Sequence, residues 1–199
     1  MTWHDLRTAD DANMRSMQAL RPRMCYADLE RMPDDGRRYE LYDGELSEVP
    51  APIPRHQRVA FKVAEQLIKY ERSHGGLMFS SPIDIVLDDH NVVQPDVVFF
   101  SADRTAAIGM SRAIRTPPDL AVEVLSPSTA AADRGKKLRL LARFGLKEYW
   151  LVDPLENTLE QFVANGLTLA LHRRVRREDV LDSPTLPGLE VPTVRLFDV

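Results

Sequence analysis

Apolar and polar positions recur with two different periods along the chain, and these periods predict where helices and strands form. From residue 55 to 73 apolar side chains recur every third or fourth position, which predicts a helix with His56 on its apolar stripe. A second helix is expected at 133–144. Strands are predicted at 83–87, 94–100, 120–125 and 149–152. The segment 120–125 is apolar at almost every position, as in a strand buried on both faces.

Turn residues join these segments in an order typical of one class of fold. Asp43-Gly44 lies in the middle of 39–46 and is a strong signal for a two-residue hairpin. A short helix is expected at 25–32, and short antiparallel strands are expected after residue 154. This order of strands and helices predicts an α/β fold with a mixed central β-sheet flanked by helices.

Length and composition narrow the class further. The 199 residues suit one domain, which we place at 24–199, after a loosely ordered extension at 1–23 that has no clear period. Hydrophobic residues make up 44% and charged residues 28%, which excludes a fibrous or wholly disordered protein. Every apolar segment is too short to span a bilayer, so no membrane partner is expected. Cys25 is the one cysteine, and we expect a reducing, cytoplasmic location.

Charge and known motifs exclude several functions. The net charge of −4 gives no general attraction to nucleic acid, although a nuclease can combine acidic metal ligands with a local basic surface. A basic cluster at 172–177 is most simply a solvated strand. Gly135-Lys136 lacks the other residues of a phosphate-binding loop, and the sequence has neither a paired-histidine zinc motif nor a G-x-S-x-G turn.

Two carboxylates stand in strands where burial makes them costly. Glu123 lies inside the apolar segment 120–125, and proteins keep a buried carboxylate when it is paired, hydrogen-bonded or bound to metal. Asp96 follows Pro95 at the start of another apolar segment, where it could also be a turn residue bonded to its own backbone. Together the two acids suit Mg²⁺ or Mn²⁺, which can activate a water molecule. We expect the two carboxylates to lie within the distance that one metal ion bridges.

Lys137 is the third candidate. It stands four residues after Asp133, so an ion pair within the helix is the simplest interpretation. The helix at 133–144 returns over the sheet, and Lys137 could reach Glu123 or a substrate phosphate, whereas Lys136 points about 100° away. We therefore expect Lys137 to face Glu123 and Lys136 to face solvent. If the site is that of a nuclease, replacing Lys137 by alanine should abolish cleavage of the nucleic acid and leave metal binding and stability nearly unchanged.

Several motifs, taken in order and at this spacing, resemble one family. They are the segment 39–46, His56, the segments 93–96 and 123–128, Asp133 with Lys137, and the segment 148–154. In these motifs the chain resembles the Uma2 family, which consists of restriction-endonuclease-like proteins of the PD-(D/E)XK nuclease superfamily. The similarity covers the chain from Cys25 to the C-terminal strands.

The resemblance implies a restriction-endonuclease-like fold and a set of site residues. Asp96 resembles the metal-binding aspartate of the superfamily, Glu123 its acidic partner, and Glu40 the acidic residue of the N-terminal motif. The lysine that the superfamily has two residues after the glutamate is replaced here by Leu125. In the family this lysine lies on the following helix, at the place of Lys137. The implied activity is Mg²⁺-dependent hydrolysis of DNA phosphodiester bonds by an endonuclease.

Two other functions stay open from the sequence. One is a catalytically silent nucleic-acid-binding module on the same fold, and the other is a carboxylate-pair hydrolase of another substrate. His56 is most simply a satisfied core histidine, and the alternative is that it orients a water near the carboxylates. A single site cuts one strand of a duplex, so a nuclease that cuts both strands of DNA is expected to be a homodimer, with the C-terminal strands as a candidate contact.

Overall fold

The computed structural model describes residues 22–110 and 112–199. The extension predicted at 1–23 therefore lies almost wholly outside the described residues. The helices are α1 (Tyr26–Glu30), α2 (Pro54–His74), α3 (three consecutive segments, Ala130–Ala132, Asp133–Lys137 and Leu138–Arg143) and α4 (Val194–Phe197), with a 3₁₀ helix at Ala102–Ala107. The strands are β1 (Arg38–Tyr42), β2 (Glu45–Val49), β3 (Leu77–Ser80), β4 (Ile85–Asp88), β5 (Asn91–Val93), β6 (Val97–Phe100), β7 (Leu120–Val124), β8 (Glu148–Asp153), β9 (Thr158–Asn165), β10 (Thr168–Arg176), β11 (Val180–Asp182) and β12 (Glu190–Pro192).

A six-stranded sheet forms the centre of the fold. Its strand order is β10-β9-β8-β7-β6-β3, with β7 and β8 parallel and the other neighbours antiparallel. Parallel neighbours need a crossover, and α3 supplies it between β7 and β8. The mixed central sheet flanked by helices that the sequence predicts is confirmed.

Alternate residues of the central strands are buried against different helices. On one face Val97 and Phe99 belong to a cluster with Val59 and Val63 of α2. On the other face Val98 and Phe100 belong to a cluster with the α3 residues Leu140 and Leu141. Because both faces are covered, strands such as β6 and β7 are apolar at nearly every position.

A second sheet, of order β2-β1-β5-β4, carries the predicted hairpin. Asp43 and Gly44 both have positive φ (51° and 83°), as the two-residue turn requires. A Cβ on Gly44 would lie 2.6 Å from the Cβ of Arg23, so the tight packing of residue 23 on the turn also demands glycine. Strand β1 of the hairpin pairs with β5, which directly precedes β6 in the chain.

Three elements differ from the predicted ones. The strand predicted at 94–100 begins only at Val97, as β6, because Pro95 has no N–H to donate to a neighbouring strand. Residues 91–93 form a separate strand, β5, in the second sheet. The edge strand β3 is not among the predicted elements. The helix predicted at 133–144 begins at Ala130, and its segment Asp133–Lys137 is a π-helical turn.

Across the described ranges, no helix combines the length and the apolar content that crossing a membrane requires.

Candidate active site

Strand pairing brings Asp96 and Glu123 together. Antiparallel β6 and β7 pair Val97 with Val122, and the same register carried one residue further sets Asp96 opposite Glu123 on one face of the sheet. The backbone N–H of Val124 donates a hydrogen bond to Asp96 Oδ2 at 2.8 Å. Both carboxylates line one cavity of about 320 Å³. The expectation that the two carboxylates lie within the distance that one metal ion bridges stays a prediction.

Lys137 reaches this cavity from the π-helical turn of α3. Its Nζ lies 2.6 Å from Glu123 Oε1 and 2.8 Å from Glu40 Oε1, and its side chain is only 4% exposed. The orientation that the helical spacing predicts for Lys137 is therefore observed. The simplest sequence interpretation, an ion pair with Asp133, gives way to pairing with two acids from β1 and β7.

Lys136 is exposed, as predicted, and its ammonium also contacts two groups of the protein. Its ammonium lies 3.9 Å from the centroid of the Tyr42 ring and 3.2 Å from Ser47 Oγ, at the rim of the same cavity. The cation rests on the ring face, where the π electrons attract it. A second ammonium group therefore borders the cavity that Lys137 enters.

Glu40 is held in place by three donors. Besides Lys137, the Tyr42 hydroxyl donates to Oε2 at 2.7 Å and the backbone N–H of Gln94 donates to Oε1 at 2.7 Å. Burial alone would raise the pKa of Glu40, but the charge of Lys137 and the Gln94 donor outweigh it and lower the pKa. Glu40 therefore stays ionised and anchors the ammonium.

Glu123 experiences the opposite balance. Burial raises its pKa well above the ordinary value, Lys137 offsets only part of this, and the carboxylates of Asp96, Asp133 and Glu40 add to the rise. Burial would lower the pKa of Lys137, yet Glu123 and Glu40 raise it well above the usual range. Two carboxylates therefore contact one ammonium, and Asp96 and Asp133 line the same cavity.

His56 is buried, as the core interpretation predicts, but one of its ring nitrogens is not satisfied within the described part of the chain. The alternative, that it orients a water near the carboxylates, stays a prediction. The residue is buried in the first turn of α2, with 8% exposure, as a core histidine would be. Its Nε2 nevertheless lies 3.1 Å from Asp96 Oδ2, and its Nδ1 is buried without a hydrogen-bond partner among the residues that the structure describes. The ring therefore helps to fix the Asp96 carboxylate.

Sequence reasoning missed Tyr42 and Arg38 as site residues. Successive side chains of a strand point to opposite faces, so residues 38, 40 and 42 of β1 share one face. Because Glu40 is a candidate site residue, the same spacing predicts that Arg38 and Tyr42, two positions away on either side, lie near the site. Tyr42 supports Glu40, and Arg38 lies in the cavity wall.

The fold and the site define a restriction-endonuclease-like α/β protein, with a mixed sheet, crossover helix and acidic residues at the ends of adjacent strands. The chain belongs to the Uma2 family, whose model, described as "Putative restriction endonuclease", matches residues 26–195. No curated protein matches it. A solved structure from Anabaena variabilis ATCC 29413, described as "a putative nuclease belonging to DUF820", is similar with a TM-score of 0.71 at 17% identity. The match covers 88% of this chain and 98% of that one.

Proposed function

We propose that this protein is a metal-dependent endonuclease that hydrolyses phosphodiester bonds of DNA. The observation that carries the proposal is the meeting of Asp96, Glu123 and Lys137 in one cavity. The description of the family and that of the Anabaena protein support the nuclease role. The geometry adds which side chains would perform it.

The donor set fits a hard divalent cation. Among residues 22–110 and 112–199, no three His, Cys, Asp or Glu side chains gather closely enough to cage an ion. Mg²⁺ does not require such a cage, since it is usually held by one or two carboxylates together with water and substrate phosphate. Asp96 and Glu123 would hold Mg²⁺ or Mn²⁺ here. When bound, the ion would lower the pKa of a water molecule and offset charge on the phosphoryl oxygens.

The protein's own side chains have distinct tasks in this proposal. Glu123 and Glu40 together keep the Lys137 ammonium charged by raising its pKa, and Glu40 also holds it in place. Lys137 lies beside Glu123, where it can orient the attacking water and offset the negative charge that develops on the phosphate. His56 and the Val124 N–H fix Asp96, so one of its oxygens is already engaged by the protein.

One observation favours a second candidate, a silent nucleic-acid-binding module. The Lys137 ammonium is engaged by two carboxylates at 2.6 and 2.8 Å. If that pairing persists when DNA binds, the ammonium cannot orient a water. The two candidates differ in metal binding, because only the enzyme needs it.

Metal titration and DNA cleavage, measured on the same preparations, test the proposal. Calorimetry should detect Mg²⁺ or Mn²⁺ binding, and a supercoiled plasmid should be cut only with metal present. Asp96→Asn and Glu123→Gln should each lower the cleavage rate by at least about 100-fold. Glu156→Gln removes an exposed carboxylate outside the cavity and should cut like the wild type. Cleavage that survives both site substitutions would overturn the mechanism, and metal-free DNA binding without cleavage would favour the silent module.

Two expectations from the sequence complete the proposal. Cleavage of both strands of DNA favours a homodimer, and the hairpin β9–β10 supports one because Leu167 and Leu171 are 80% and 53% exposed on it. Sedimentation that finds only monomer at micromolar concentration would exclude this assembly. The cytoplasmic location rests on the single cysteine and stays a prediction.

A further inference from the structure

A second cavity, of about 110 Å³, lies beside α2. Arg38 and Asp96 line this cavity and the larger one, so the two cavities meet at these side chains. The Arg38 guanidinium is fixed there, since Nη1 donates to Ser81 Oγ at 2.7 Å and Nη2 to the carbonyl of Pro50 at 3.4 Å. A guanidinium has five N–H donors, so Arg38 keeps donors for a ligand.

One stripe of α2 forms a wall of the second cavity. Gln57, Ala60, Phe61 and Ala64 recur at the spacing of a single helix face and all border the space. The two alanines leave room that larger side chains would fill. Phe61 is 58% exposed, and the Arg58 guanidinium lies 5.9 Å from its ring centroid.

An exposed phenylalanine alone would mean little, because single apolar residues are common on protein surfaces. Phe61 differs because its cavity also contains an amide (Gln57), two serine hydroxyls at the end of β3, a guanidinium and the Asp96 carboxylate. Flat aromatic surface beside hydrogen-bonding groups and a cation suits a nucleobase joined to a phosphate. The cavity is too small for a base pair, and a base inside a duplex already has both faces stacked on its neighbours.

We infer that the second cavity receives the base of an unpaired nucleotide whose own phosphate lies at the active site, with Phe61 as the stacking surface and Arg38, which lines both cavities, as the cation beside that phosphate. The inference rests on the proposed function and deepens it, since it makes single-stranded or locally opened DNA the preferred substrate. The strand would run from the Lys136 rim, past Asp96 and Glu123, into the cavity beside α2.

Fluorescence anisotropy without divalent metal tests this inference independently of cleavage. The probes are a labelled oligothymidine and a labelled blunt hairpin duplex of equal nucleotide number. Wild type should bind the oligothymidine more tightly than the duplex. Phe61→Ala should weaken oligothymidine binding about ten-fold or more and leave duplex binding unchanged. Phe61→Trp, which keeps an aromatic face, should restore tight binding.

Leu155→Ala is the matched control, because Leu155 is 61% exposed and borders neither cavity. The inference fails if wild type does not prefer the single strand, or if Phe61→Ala weakens both probes equally or neither. Failure of the nuclease proposal would give a different set of results from failure of this inference. In that case the binding results would hold while the plasmid stays uncut in Mg²⁺ and Mn²⁺.

Discussion

Lys137 brings a positive charge into a place that water scarcely reaches. A buried charge is tolerated when it is paired, and the two carboxylates of Glu40 and Glu123 compensate it from two different sheets. The pairing has a consequence for stability as well as for catalysis. Loss of the ammonium would leave two buried acids facing each other.

Lys137→Ala should therefore destabilise the fold by about 3–5 kcal/mol, as when one partner of a buried ion pair is removed. From the sequence we expect stability to stay nearly unchanged. The structure replaces that expectation, because the Lys137 side chain is only 4% exposed. Urea denaturation of the two alanine variants measures the effect. Lys136→Ala, at the exposed neighbour, should cost no more than about 1 kcal/mol. Equal stability of both variants would show that the two acids do not depend on Lys137.

The sequence indicated which lysine faces the site, but not all of its partners. Adjacent helical residues differ by about 100°, so of Lys136 and Lys137 only one could face Glu123, and register with the buried Leu141 identified it. The bond to Glu40 depends on how the β1 hairpin docks against α3. That docking follows from the tertiary packing and leaves no local pattern in the sequence.

At the scale of elements, strong local signals were readable and weak ones were not. The Asp43-Gly44 turn and the doubly buried β7 follow directly from turn chemistry and apolar content. The edge strand β3 has four residues, none of them fully buried, and so lacks a clear period. The π-helical turn at Asp133–Lys137 was not predicted either, since one wide turn barely alters the spacing of apolar positions.

The long connection between β6 and β7 is closed by a single carboxylate. Asp119, whose side chain is fully buried, accepts hydrogen bonds from the N–H and hydroxyl of Ser101 and from Arg104, and it pairs with Lys147 at 2.7 Å. Burial would raise the pKa of Asp119, but Lys147, Ser101 and Arg104 lower it from 3.8 to about 2. Both ends of the connection are thereby tied to the sheet.

This closure should depend on pH. The folded state lowers the pKa of Asp119, so its stabilisation is complete above about pH 4 and is lost as the pH falls towards 2. Removing the carboxylate with Asp119→Asn should cost about 1–2 kcal/mol at pH 7 and make that part of the pH dependence disappear. Urea unfolding between pH 2.5 and 7 measures it, with Asp103→Asn at an exposed position as the control. Parallel pH profiles for wild type and Asp119→Asn would contradict the assignment.

At the scale of the whole molecule, the site exists only where separate parts of the chain meet. Glu40 comes from the hairpin of the second sheet, Asp96 from the position just before β6, Glu123 from β7, Lys137 from α3 and His56 from α2. The sequence identified Asp96 and Glu123 as candidates because burying a carboxylate in an apolar segment costs free energy. Their arrangement required the antiparallel register of β6 and β7, which the sequence does not specify by itself.

The C-terminal segment is joined to the central sheet through another buried acid. Glu148 of β8 is fully buried and accepts four hydrogen bonds, from Trp150 Nε1, Gln161 Nε2, Ser183 Oγ and the backbone N–H of Thr185. Two of these donors belong to the segment that follows β11. The apolar residues Leu181, Leu186 and Leu196 then cover the face of the sheet next to α2.

Glu148→Ala should loosen this whole segment, because four donors would lose their acceptor inside the protein. A cost of about 3–5 kcal/mol is expected, whereas Glu148→Gln, which keeps one oxygen and can still bond the Ser183 hydroxyl, should cost less than half as much. Urea denaturation followed by the fluorescence of Trp150, whose indole is 1% exposed, measures both. Hydrogen exchange should accelerate at 181–197 in Glu148→Ala before it does in β7. Glu190→Gln, on the exposed side of β12, should match the wild type. Unchanged exchange at 181–197 would show that apolar packing alone holds the C-terminal segment on the sheet.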